Sequence, residues 1–304
     1  MQNSRRKFLR KSLWGTAALG VAPYLSSCKQ SPVKLTILHT NDVHSQIDPF
    51  PPNHSRWPNQ GGFARRAELI SKIREEEEQI LLLDSGDIFQ GTPYFNIYKG
   101  KLEIDLMNKM GYDAATLGNH EFDNGIEALA GNVERARFPF VCSNYDFSDT
   151  VLKGATIPYK VFNKGAVKIG IIGLGIELAG LVNPKSYEKT KYDDPVEIGN
   201  KLAKLLKEEK KCDLVIALSH LGYRYKTTKV SDVVVAQQTR HIDIILGGHT
   251  HTFMEKPDMV KNMDDKEVLV NQVGWGGMYL GRLDLEMVPG DSKQTAIINS
   301  IYHV

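Results

Sequence analysis

Five short polar blocks, each placed directly after an apolar, strand-forming run, constrain this chain more than any other feature. The blocks are Asp42-Val43-His44, Gly86-Asp87, Gly118-Asn119-His120-Glu121, Ser219-His220 and Gly248-His249-Thr250-His251. The runs before them are Leu35–Leu38, Ile80–Leu83, Ala114–Leu117, Leu214–Leu218 and Ile242–Leu246. Side chains just past the carboxyl ends of neighbouring strands converge on one crevice of an α/β sheet. The blocks are therefore expected to build a single site. Imidazole and carboxylate with no thiolate among them suit Zn²⁺, Mn²⁺ or Fe better than Ca²⁺ or an iron–sulfur cluster.

Between the blocks, helical and strand patterns alternate. Helices are expected over Phe63–Glu78, Leu102–Met110, Ile126–Ala136, Val196–Lys210 and Ser231–Gln238, with Gly111 stopping the second. Val161–Leu174 predicts two strands joined through Asn163-Lys164-Gly165. Val268–Gln272, Met278–Met287 and Ala296–Tyr302 predict further strands. Buried strands alternating with helices, plus hairpins in the middle and at the end, predict two packed sheets flanked by helices in one catalytic domain, residues 33–304. Asp48–Gln60 and Ala179–Asp193 are expected to be long loops.

Asp-x-His leaving a strand can aim both side chains at one ion, and Asp87 in its Gly-flanked turn is a natural carboxylate bridge. Asn119 offers a neutral amide oxygen, while His220, His249 and His251 add imidazoles. With Asp42 and His44, that makes seven side chains, enough for two metal sites with positions left for water and phosphate. His120 and Asp123, three apart before Asn124-Gly125, are expected on one side of a turn. Asp123 would fix the imidazole tautomer, leaving His120 to act as general acid or to stabilise transition-state charge. Of the other histidines, His39 is expected in a strand, and His54, His241 and His303 in loops or at the surface.

The N-terminus reads as an export signal. Ser4-Arg5-Arg6-Lys7-Phe8-Leu9-Arg10 resembles a twin-arginine motif, and a modest apolar stretch, Leu13–Leu25, follows. Leu25-Ser26-Ser27-Cys28 resembles a lipobox, which makes Cys28 the candidate lipidation site, residues 1–27 the signal peptide and 28–32 a short tether. Acyl chains there would anchor the protein to a membrane it does not span, in the periplasm or cell envelope. Of 38 lysines and arginines, five lie in the first 27 residues; the remaining 33 against 36 acidic residues leave the rest of the chain slightly negative. That balance argues against a nucleic-acid partner held by a broad basic face. Cys142 and Cys212 flank apolar runs and are expected to be buried free thiols.

Taken with their flanks, the blocks resemble the calcineurin-like metallophosphoesterase superfamily. More narrowly, they resemble the catalytic domain of the bacterial 5′-nucleotidase, UDP-sugar hydrolase and 2′,3′-cyclic phosphodiesterase family. The flanks that narrow it are Leu35–Asn41, Gly61-Gly62-Phe63-Ala64-Arg65, Asp84-Ser85 with Ile88-Phe89-Gln90-Gly91, Phe122-Asp123 and Gly281-Arg282-Leu283-Asp284-Leu285. The resemblance implies a four-layer α/β/β/α sandwich. It places one metal on Asp42, His44, Asp87 and His251, the other on Asp87, Asn119, His220 and His249, and makes His120 and Asp123 the catalytic dyad. It also implies a further C-terminal domain with nucleobase-stacking aromatics, which these 304 residues are not expected to contain; either a separate polypeptide supplies it or the chain acts on phosphoesters without base recognition. Trp57 and Trp275 are the candidate substrate-stacking residues within the chain. The expected activity is a dimetal phosphomonoesterase acting on nucleotides. A cyclic-nucleotide phosphodiesterase, a nucleotide-sugar pyrophosphatase, a thiosulfohydrolase and a non-catalytic phosphate-binding or assembly subunit are the alternatives.

Overall fold

The alternation in Val33–Thr40 (β1) decides how the layers stack. Leu35 and Ile37 project to one face and Leu38 to the other, and all three are fully buried. Successive strand residues point to opposite faces, so β1 must be covered on both sides. On one side, Leu35 and Ile37 join Leu81, Leu83, Ile169, Ile171, Leu214 and Ile216 in a core shared by two sheets. On the other, Leu38 and Leu82 pack with Ile70, Ile104 and Leu129 from helices. The computed structural model describes residues 31–290 and 294–304. The expected signal peptide and Cys28 lie outside the described residues, while Pro32–Val304 form one compact unit.

The first sheet runs β13 (Gln294–His303), β12 (Tyr279–Met287), β1, β2 (Ile80–Asp84), β3 (Ala114–Ala115), with β1, β2 and β3 parallel. Helices α1 (Phe63–Glu76), α2 (Pro93–Tyr98), α3 (Lys101–Met110) and α4 (Ile126–Arg135) carry the side chains that cover its outer face. The second runs β10 (Asp258–Lys261), β11 (Glu267–Asn271), β9 (Ile244–Leu246), β8 (Leu214–Ser219), β6 (Val167–Leu174), β5 (Tyr159–Lys164). It is parallel from β11 to β6, with antiparallel strands at both edges. Its outer face packs on α6 (Pro195–Lys204) and α7 (Asp232–Gln238) through Leu202, Val233 and Val235. This is the expected α/β/β/α sandwich.

Local signals explain most element ends. Asp194 accepts from Val196 N–H and Glu197 N–H (2.8 and 3.0 Å) and starts α6, and Ser231 caps α7. Gly111, at φ 71°, ends α3 in the left-handed conformation. Several expectations are corrected. The run Ala114–Leu117 forms only a two-residue strand, because the chain then turns into the crevice. Ile242 lies outside β9, and Asp243, next to it, accepts Val215 N–H on its carboxylate (2.7 Å). Ala179–Asp193 is not all loop, since it holds α5 (Pro184–Tyr187) and β7 (Lys191–Tyr192), the latter paired with β4 (Tyr145–Asp146). His303 ends β13 and is exposed. Cys142 and Cys212 are free and buried, as expected.

Candidate metal centre

Every block leaves the carboxyl end of a strand, and the parallel strands of both sheets open onto the same crevice. The exit loops hold one another by backbone pairing. Asp42 N–H donates to Gly86 O (2.9 Å) and His44 N–H to Asp87 O (3.0 Å). From the second sheet, His249 N–H reaches both Asp42 oxygens at 3.0 Å. Five of the seven candidate ligands take left-handed backbone angles: φ is 50° at Asp42, 51° at His44, 53° at Asp87, 71° at His249 and 51° at His251. An L-residue pays roughly 1–2 kcal/mol for such a conformation, so it persists only where surrounding contacts hold it.

The side chains form two groups. Asp42, His44 and His251 place one ligand atom each within 4.8 Å of one another, and so do Asp87, His220 and His249. His44 Nε2 and His251 Nε2 are 3.0 Å apart, and His251 Nε2 is 3.5 Å from Asp42 Oδ1. Asp87 Oδ2 lies between the groups, 3.0 Å from His220 Nε2 and 3.8 Å from His44 Nε2. Asn119 Oδ1 meets His249 Nδ1 at 2.9 Å. All seven side chains predicted from the sequence are thus brought together.

A cation fits this arrangement on chemical grounds. His44 Nδ1 faces Phe89 O (3.2 Å) and His220 Nδ1 faces Ser85 O (2.7 Å). Donation there leaves each Nε2 with its lone pair directed into the crevice. His220 Nε2 is buried and makes no hydrogen bond of good geometry. Asp42 and Asp87 are 0% and 1% exposed, and among the described residues no lysine or arginine nitrogen lies within 4 Å of either. Burial works against charge on His220, yet the Asp87 carboxylate overrides it and raises the proton affinity of the imidazole. A metal ion replaces such a proton when it binds. Burial, helped by the neighbouring His251 and His120, depresses His44 against the pull of Asp87 and Asp42, and burial followed by the His220 charge takes His249 down to about 4, which keeps both imidazoles available as ligands.

At the mouth of the crevice His120 Nδ1 lies 2.7 Å from Asp123 Oδ2, each side chain about one-third exposed. That hydrogen bond raises the His120 pKa against partial burial. His120 N–H also donates to Asp87 Oδ1 (2.9 Å), and its ring meets that of His44 edge-on with centroids 5.3 Å apart. The two tryptophans part company. Trp275 stacks on the ligand candidate His251 at 5.8 Å, whereas Trp57 stacks on Phe253 at 5.2 Å. His39 lies fully buried in β1, with Nε2 3.1 Å from Asn271 Nδ2.

Three buried acids have partners that sequence reasoning did not foresee. Glu121 receives four backbone N–H groups. Asp84 accepts from Thr40 Oγ1 (2.6 Å) and Gly86 N–H (2.9 Å), and Asp232 from Ser219 Oγ (2.5 Å) and Gln272 Nε2 (3.0 Å). Glu121 carried a sequence signal through its place in the third block and Asp84 through the flank of the second, whereas Asp232 carried none.

The comparisons with known proteins bear on the fold and the family. The family model described as calcineurin-like phosphoesterase matches residues 35–253. A snake venom 5′-nucleotidase of Gloydius brevicauda is 36% identical over 299 residues, covering 90% of this chain and 47% of that protein. The crystal structure of a 5′-nucleotidase precursor from Thermus thermophilus superposes with a TM-score of 0.81 at 33% identity, covering 89% of this chain and 54% of that one. A calcineurin-like phosphoesterase structure, YfkN of Bacillus subtilis, gives 0.72 at 28% identity and covers 90% and 91% of the two chains. The chain spans about half the length of the first curated relatives it matches. A match over most of the chain, a shared sandwich and a crevice of converging imidazoles and carboxylates place this protein in the calcineurin-like phosphoesterase family.

Proposed function

We propose that the chain is an exported dimetal phosphoester hydrolase, with 5′-nucleotidase-like release of phosphate from nucleotides as its principal activity. The observation that carries this reading is Asp87 Oδ2, set between two groups of ligand atoms with the His120–Asp123 pair beside it. Asp42, His44 and His251 would hold one divalent ion and Asn119, His220 and His249 the other, with Asp87 shared. Such a pair of ions supplies Lewis-acid charge for phosphate oxygens and activates water for in-line displacement. The chain's own residues do the rest. Asp123 holds His120 Nδ1, raises its proton affinity and leaves Nε2 as the donor toward the leaving oxygen. The backbone bonds among the exit loops keep the ligands in place, so little reorganisation accompanies reaction.

The nucleotide part of the reading is supported by the 5′-nucleotidase names of the relatives, and Trp275 beside His251 offers an aromatic face for a base. Export rests on the twin-arginine-like segment and the Leu25–Cys28 lipobox, with lipid on Cys28 as the anchor. Among the described residues, no helix is long and apolar enough to cross a membrane.

Residues 29–304, loaded with Mn²⁺ or Zn²⁺, are tested on AMP, UDP-glucose, 2′,3′-cyclic AMP and p-nitrophenyl phosphate, with chelator and His120→Ala as controls. The reading expects phosphate release from AMP that chelator abolishes. Preference for either of the next two substrates would move the activity to pyrophosphatase or cyclic phosphodiesterase. Silence on all four with two metals bound would leave the phosphate-binding subunit.

A further inference from the structure

Glu121 is the most heavily engaged carboxylate of the crevice, although it belongs to neither ligand group. It is 2% exposed. Oε2 accepts Gly118 N–H (2.6 Å) and Asp87 N–H (2.9 Å), while Oε1 accepts Ile88 N–H (2.7 Å) and Phe89 N–H (3.2 Å). Three of these donors belong to the loop after β2 and one to the loop after β3. The two loops also pack too closely for side chains to intervene. A Cβ on Gly118 would collide with Asp87 Oδ1 and stand 2.6 Å from Asp87 N, and one on Gly86 would stand 2.9 Å from Leu117 C.

We infer that Glu121 is a positioning residue, the clamp that sets the distance between Asp87 on one loop and Asn119 on the other and thereby the spacing of the two metal sites. The inference rests on the dimetal reading of the crevice. Four backbone donors buried together need an acceptor, since each one left unsatisfied costs about 1–3 kcal/mol. A carboxylate offers enough lone pairs for all four, whereas an amide offers one oxygen and turns two N–H groups toward existing donors. Glutamine at 121 therefore keeps the donors of one oxygen only, either Ile88 and Phe89 or Gly118 and Asp87. Either way the loop after β2 loses part of its hold on Glu121, and Asp87, at φ 53°, is freer to relax from its left-handed conformation.

The test compares wild type with Glu121→Gln and Glu121→Asp, using Mn²⁺ alone as the probe. Three quantities are measured: Mn²⁺ bound per chain, the melting temperature with chelator, and the rise in that temperature when Mn²⁺ is added. Removing partners that orient metal ligands typically weakens metal affinity about 10–100-fold. The expected result is a loss of that size in Glu121→Gln, with a much smaller Mn²⁺-induced rise in melting temperature. A role confined to folding would instead lower both melting curves together and leave the rise unchanged. Glu121→Asp keeps the charge but is one methylene short, and is expected to bind Mn²⁺ with intermediate affinity. Should Glu121→Gln fail to fold, amide exchange in chelator-treated wild type decides the matter. Slow exchange at Asp87, Ile88, Phe89 and Gly118 supports the clamp, and free exchange overturns it. An unchanged Mn²⁺ response in Glu121→Gln overturns this inference alone, whereas a wild type that takes up no Mn²⁺ overturns the dimetal reading as well.

Discussion

The middle of the strands and their carboxyl ends obey opposite rules. Between the sheets, Leu83, Ile169, Leu214 and Ile216 are fully buried, apolar and in regular extended conformation. A few residues along the same strands, the chain gathers buried carboxylates, paired imidazoles and five left-handed backbone angles. The first region gains free energy on folding, at about 25 cal/mol per Å² of apolar surface removed from water. The second loses it, through desolvated charge and backbone strain. The rigid core is what allows the crevice to stay unfavourable on its own and ready for cations.

That contrast separates function from stability, and substitutions at each end should separate them again. The largest effect is expected at the mouth of the crevice. His120→Ala should slow phosphate release about 10²–10⁴-fold, as loss of a general acid does, while leaving the chelated melting temperature near that of wild type. Steady-state kinetics beside a thermal melt checks both halves. Next comes Leu83→Ala in the inter-sheet core, expected to lower unfolding free energy by about 2–5 kcal/mol in urea titrations. The folded fraction should still bind its full complement of metal. A smaller effect on stability is expected for Asp87→Asn. It removes the buried carboxylate that holds a proton on His220, and the imidazole returns to its neutral form, so the chelated protein should stay within about 1 kcal/mol of wild type while metal binding is lost. An Asp87→Asn protein that melts well below wild type in chelator would put Asp87 among the supports of the fold.

At neutral pH the smallest effect concerns His39, which lies in the core yet is polar. Burial depresses its pKa to about 3 from an ordinary value near 6.5. The folded protein therefore resists the proton that the unfolded chain accepts, and stability falls as pH drops from about 6.5 toward 3, by at most about 1.4 kcal/mol per pH unit. His39→Gln should flatten that part of the acid-unfolding curve, and an unchanged slope would mean the acid sensitivity comes from other groups.

The crevice was far more legible in the sequence than its supports were. Asp42, His44, Asp87, Asn119, His220, His249 and His251 announce themselves because residue type and position after an apolar run both carry chemical meaning. His120 and Asp123 were legible because three residues separate them. What remained hidden depends on contacts between distant segments. Glu121 finds three of its donors at Asp87, Ile88 and Phe89, 32 to 34 residues earlier in the chain. The four-residue β10 offers too few positions to display a period, and it becomes a strand by pairing with β11. Helix α2 escapes notice for the same reason of length, although Pro93 marks its start. The left-handed angles at Asp42 and His44 leave no trace in residue type, since neither is glycine. The order of strands across the sheets was equally invisible, because buried apolar runs look alike whichever neighbour they find.

The most direct test of the account is an anomalous difference map from crystals of the Mn²⁺-loaded protein, recorded at the manganese edge. The account predicts two peaks about 3.5–4 Å apart. One should lie among Asp42, His44 and His251, the other among Asn119, His220 and His249, with Asp87 between them. A single peak, or a pair that leaves Asp87 outside its coordination, would contradict it.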